Sequence, residues 1–185
     1  MMTLERITEE NIDYASEIQA ELFPEYSGRR NYEDSLAEDS RFEYFLVYED
    51  GACAGITGIY SYPEYPESAW LGWFDIRENY RRKHLGSAVL KKFEEMAREK
   101  GFRFARLYTG AEDNDIAIAF YKANGYQPEP YCNAQDPVSL KYKALIFSKS
   151  LTSEPLIPWN NRNIDLSGQE EKGKQYGREN HAGNS

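Results

Sequence analysis

The chain has 185 residues, of which 41% are hydrophobic and 15% aromatic, enough for one substantial core and cramped for two. Its net charge of −9 is concentrated at the front, where residues 1–50 hold 14 acidic and 4 basic side chains, while residues 51–154 are nearly balanced and 155–185 neutral. Such an acidic front repels a phosphate backbone and excludes nucleic acid as an expected partner; it either solvates helix surfaces or draws in a cationic small molecule.

Leu4 to Ile7 can form a short strand, and Thr8, followed by Glu9 and Glu10, is an N-cap candidate with carboxylates in the first helical turn. Ile12, Ala15, Ile18 and Leu22 then recur at helical spacing up to Phe23-Pro24, with a second short helical patch around Tyr32 and Leu36. Phe42–Glu49 and Ala52–Ser61, joined by Asp50-Gly51, read as a β-hairpin. After a proline-bearing loop, Ala69–Ile76 reads as one buried strand. Leu85, Val89, Phe93 and Met96 mark a helix ending near Lys100-Gly101, and Phe102–Thr109 a strand. Asn114–Ala123 makes another helix, closed by Asn124-Gly125, and the alternation of Leu140, Tyr142, Ala144 and Ile146 makes a late strand.

This order predicts an α/β domain with a mixed, mostly antiparallel sheet and helices on both faces. The domain is expected over residues 1–153. Residues 154–185 turn to Asn, Gly, Gln, Lys and Glu, a polar tail that either frays or docks through Leu156, Ile157 and Trp159. The start of the chain lacks the basic and apolar pattern of a signal peptide, and no stretch has the apolar length of a membrane span, so a cytoplasmic protein without membrane contact is expected. Two cysteines, Cys53 and Cys132, and two histidines, His84 and His181, suggest neither a disulfide framework nor a metal site.

Two segments carry chemistry. In the first, a strand ending at Ile76 passes through Arg81-Arg82-Lys83-His84 into a helix beginning Leu85-Gly86-Ser87-Ala88. Unpaired helix-start amides, the helix dipole and three basic side chains suit a diphosphate there. The second is Asn114-x-x-Ala117-x-x-Phe120-Tyr121-x-x-x-Gly125-Tyr126, about 30 residues on. Together they resemble the GNAT superfamily of N-acetyltransferases, across roughly residues 2–151 and most strongly from 69 to 126. In that family an R/Q-x-x-G-x-G/A loop holds the coenzyme A diphosphate. The match here is Arg81-x-x-His84-x-Gly86, with His84 where the first glycine usually stands.

The resemblance implies acetyl-CoA as cosubstrate, with no metal. It implies that Phe74, Ile76, Arg81, Arg82, Lys83, His84, Leu85, Gly86, Ser87, Ala88, Asn114, Ala117 and Phe120 contact it, and that Tyr121 protonates the departing thiolate. A phenol, with a usual pKa of about 10, can share or give a proton to a thiolate, whose acid lies near 8.5. Backbone groups of Phe74, Asp75 and Ile76 would meet pantetheine and the thioester carbonyl. Asp75 is a candidate general base, facing either the acceptor or a structural hydrogen bond, and Glu25 is a second. His84 reads as loop structure or a nucleotide contact. The implied reaction is direct acetyl transfer to a primary amine of a small molecule; a protein or peptide amine, or a non-catalytic acyl-CoA-binding module, are the alternatives. A homodimer is left open.

Overall fold

A computed structural model describes residues 1–132 and 143–164. They contain eight strands and four α-helices: β1 Met2–Arg6, α1 Ile12–Leu22, α2 Arg29–Ser35, β2 Phe42–Glu49, β3 Ala52–Ser61, β4 Ser68–Leu71, β5 Asp75–Ile76, α3 Leu85–Glu99, β6 Phe104–Gly110, α4 Asp115–Ala123, β7 Gln127–Pro130 and β8 Ala144–Ser150. The architecture is mixed α/β with mostly antiparallel strands, as the element order predicts. None of the described helices is long and apolar enough to cross a membrane.

Two compact units can be distinguished, one from residues 1–60 and 71–93, the other from 61–70 and the described residues after 93. In the first, β1, β2 and β3 form an antiparallel meander, with β5 antiparallel to β3. Alternation along β2 decides which face each residue serves. Tyr44 and Leu46 join Ile12, Ala15 and Ile18 of α1, Tyr32 of α2, Ile56 and Trp73 in one core cluster. Val47 instead joins Ala54, Ile76, and Leu85 and Val89 of α3 in a second. Helix α1 begins at Ile12 rather than after Thr8. Its cap is Asn11, whose side chain accepts from the Thr8 N–H (2.8 Å) and donates to the Arg6 carbonyl (3.0 Å), holding the preceding turn out of the helix.

The single strand expected over 69–76 is two. Between β4 and β5 the backbone breaks at Trp73, which takes a left-handed φ of 39°. In the second unit β4 runs parallel to β6, and β8 is antiparallel to both β6 and β7. Strand β7, Gln-Pro-Glu-Pro, lies at the edge, where proline's missing N–H does least harm to pairing. The late strand begins at Ala144; the part expected over residues 140–142 lies outside the described residues. Residues of the C-terminal segment also belong to this unit: Trp159 and Ile164 are buried.

Candidate active site

Strand β5 and the loop into α3 hold the first group of expected site residues. Phe74 packs with Ile76, Leu85 and Val89, which seats the loop on the core. Arg82, Lys83 and His84 are exposed, and the first intrahelical bond received by the His84 carbonyl comes from Ala88 (3.1 Å). The N–H groups of Leu85, Gly86 and Ser87 therefore form the helix start, beside two outward cations. His84 has φ 58° and Arg82 φ 64°, so the backbone at 84 takes a glycine-like, left-handed shape despite its side chain. Such a conformation costs roughly 1 to 2 kcal/mol in a non-glycine residue. Replacing His84 by glycine is expected to raise Tm by about 1 to 3 °C, the relief of strain exceeding glycine's entropy in the unfolded chain. A fall of several degrees in a thermal melt would instead assign the imidazole stabilising contacts.

Asp75 is not aimed outward alone. Its Oδ1 accepts from the Ile76 N–H (2.8 Å) and pairs with the Arg81 guanidinium (3.2 Å). Burial pushes its carboxyl above the ordinary range, against the opposing pull of the Ile76 N–H and Arg81. Glu25 is exposed in the loop after α1. Cys53 is buried, and burial raises its thiol above the usual value, which disfavours a thiolate nucleophile.

The second group lies on α4, in the other unit. Asn114 caps this helix, and its amide donates to the Thr109 hydroxyl and to the Gly110 carbonyl (3.2 Å), tying the end of β6 to the helix start. Ala117 and Phe120, three apart on one helix face, are half-buried. Tyr121 is 9% exposed, with its ring 5.4 Å from that of Phe147 and 6.3 Å from that of Tyr126. The Tyr126 N–H donates to the Tyr121 carbonyl (3.1 Å), and the Tyr126 hydroxyl to Glu94 (3.1 Å), which also receives Lys149 Nζ (2.9 Å). Burial, then the Glu94 charge, pushes the Tyr126 phenol well up, so it stays a donor.

The family model for the acetyltransferase (GNAT) family matches residues 4–126. The chain belongs to the GNAT acetyltransferase family. A curated relative of this acetyltransferase, a candidate ribosomal protein bS18-alanine N-acetyltransferase from Bacillus subtilis (strain 168), is 29% identical over 119 residues, covering 64% of the chain and 76% of the relative. Solved structures that share the fold include the following two. One, a GNAT acetyltransferase from Elizabethkingia anophelis with acetyl-CoA bound, has TM-score 0.62 at 14% identity, over 80% of this chain and 97% of that one. The other, a spermidine/spermine N-acetyltransferase from Vibrio cholerae, has TM-score 0.65 at 12% identity, over 81% and 94%.

The support of the Tyr121–Tyr126 segment lies outside the motifs. Glu94 is a carboxylate within the apolar stripe of α3, between Leu90, Phe93 and Ala97, and that misplaced charge was the available signal. Arg77 lies outside the motifs too: its Nε binds Glu21 of α1 (2.9 Å) and its Nη1 the Cys53 carbonyl (3.1 Å). The acidity of the front is also partly spent locally. Arg29 pairs with Asp13 and Glu33, Arg30 with Asp34, Arg6 with Glu43 and Arg77 with Glu21.

Proposed function

We propose that this acetyltransferase moves the acetyl group of acetyl-CoA directly to a primary amine while both substrates are bound. The observation that supports this reading most is the loop opening α3, where three helix-start amides, Arg82 and Lys83 face outward around a left-handed residue 84. That arrangement fits a diphosphate. A backbone N–H near Phe74 and Asp75 would stabilise the developing oxyanion, an effect worth about 3 kcal/mol. Tyr121 would give a proton to the leaving thiolate. No covalent enzyme intermediate is required, consistent with the burial of Cys53.

The preferred acceptor is a small cationic amine, attracted by the acidic surface that remains around α1 and α2. A protein N-terminal amine is the second reading, favoured by the 29% identity to a candidate alanine N-acetyltransferase. Incubation with acetyl-CoA and a panel of spermidine, an aminoglycoside, free amino acids and an alanine-initiated peptide, followed by free-thiol release, separates them. The cationic acceptors should show the highest kcat/KM at low ionic strength, falling several-fold toward 0.5 M salt as charges are screened. Preference for the alanine peptide without that salt dependence would establish the second reading. No thiol release with any amine would leave the protein as an acyl-CoA-binding module.

A further inference from the structure

We infer that Arg81 is a positioning residue of strand β5, joined with Asp75 in a clamp that fixes the backbone where the thioester is read to lie, rather than a ligand of phosphate. This rests on the acetyl-transfer reading above. Strand β5 has only two residues, set against β3 at Gly55 and Ile56, and it follows the backbone break at Trp73. So short a strand has few ladder hydrogen bonds to hold it. On the β3 side the fit is close: a Cβ added at Gly55 would lie 2.3 Å from the Asp75 carbonyl oxygen and 3.1 Å from Ile76 Cα.

The other hold comes from side chains. Arg81 Nε donates to the Ile76 carbonyl (2.7 Å), and Arg81 Nη2 reaches both Asp75 oxygens (3.2 and 3.3 Å). Asp75 in turn accepts the Ile76 N–H (2.8 Å). Both backbone polar groups of Ile76 are thereby held by two side chains that also hold each other. Arg77 completes the attachment, its N–H donating to the Ala54 carbonyl (2.8 Å) and its guanidinium bridging Cys53 and Glu21. The fork geometry of arginine permits this simultaneous grip on a carbonyl and a carboxylate, which a lysine cannot reproduce. Arg81, exposed like Arg82 and Lys83, differs from them in having its donors turned to Ile76 and Asp75, which leaves the other two to supply charge to an anion. The loop and the strand thus become one rigid piece, and the Asp75 carboxylate serves that piece rather than deprotonating the acceptor.

The test separates position from binding. At saturating acetyl-CoA and acceptor, Arg81→Gln should lower kcat about 10- to 100-fold while Kd for coenzyme A, by calorimetry, changes less than about threefold. Arg82→Glu with Lys83→Glu should do the reverse, raising that Kd about tenfold or more. Asp75→Asn should cost about as much kcat as Arg81→Gln, and the double variant no more than the worse single one, as for partners in one interaction. Arg81→Lys should fall between. Without any substrate, amide exchange at Ile76 should quicken at least about tenfold in Arg81→Gln and in Asp75→Ala, which removes the acceptor of the Ile76 N–H. A Kd for coenzyme A that rises as far as kcat/KM falls in Arg81→Gln would overturn the inference and return Arg81 to the phosphate. So would multiplying losses in the double variant, or unchanged Ile76 exchange. Should the wild-type protein turn over no amine, the functional reading falls, and Ile76 exchange alone decides the clamp.

Discussion

Tyr121→Phe is expected to lower kcat roughly 10- to 1000-fold, the scale of losing a general acid, with coenzyme A affinity almost unchanged. The ring stays against Phe147 and Tyr126, and the backbone bond from Tyr126 to Tyr121 does not involve the hydroxyl. Only the proton donor is removed. A thiolate whose acid has a pKa near 8.5 leaves poorly at pH 7 without a proton, and less poorly at pH 9, so the defect should shrink as pH rises. Acyl donors with a more acidic leaving thiol should restore the rate in the variant and change the wild type little. Because product release can limit turnover, the comparison is read from pre-steady-state acyl transfer as well as from kcat. A variant with the wild-type chemical step across pH 7 to 9 would leave Tyr121 a packing residue, whereas the fold and the family would stand.

Much of this architecture was legible because it is carried by period and punctuation. The residues Ile12, Ala15 and Ile18 announce a helical face, and Asp50-Gly51 announces the hairpin between β2 and β3. The break between β4 and β5 was not, since Ala69 to Phe74 reads as unbroken apolar sequence and a left-handed tryptophan has no sequence signature. Strand β7 was lost for the opposite reason: two prolines look like a loop unless the edge position is known. The motif residues on the α3 loop and on α4 are named only through their resemblance to the family's motifs. What holds them could not, because the Arg81–Asp75 clamp and the Glu94–Lys149–Tyr126 cluster join residues by backbone geometry and by separations of up to 55 residues.

Ending the chain after Ser153 is expected to lower Tm by about 8 °C or more, because we propose that the folded domain reaches Ile164. By composition the segment after 153 has too little apolar surface to fold by itself, yet one residue in it is central to the second unit. Trp159 is fully buried, with its ring edge-to-face against Tyr65 (4.8 Å) and Trp70 (5.1 Å), while its backbone N–H donates to Glu129 (2.7 Å). Truncating so large a buried aromatic costs about 3 to 5 kcal/mol. The buried Arg106 adds to this. Its guanidinium donates to Ser68 (2.8 Å), Ser148 (2.8 Å) and the Ile157 carbonyl (2.8 Å), and stacks 5.1 Å from the Trp159 ring. Burial, then the nearby Arg162 charge, lowers its pKa to about 10, so at neutral pH it is still a cation held by neutral acceptors. Loss of the Ile157 carbonyl strands one of its donors, at about 1 to 3 kcal/mol. Against a total stability of about 5 to 15 kcal/mol, the shortened chain keeps little margin. Trp159→Phe should lose much less than Trp159→Ala, since it keeps the packing and gives up chiefly the indole N–H bond to the Arg162 carbonyl (2.9 Å). Ending the chain after Ile164 instead retains every contact named here and should leave Tm within about 2 °C of the full chain. A melt of the chain ending at Ser153 that matched the full-length protein would show that the segment only rests on the domain, and would move the boundary back to 153.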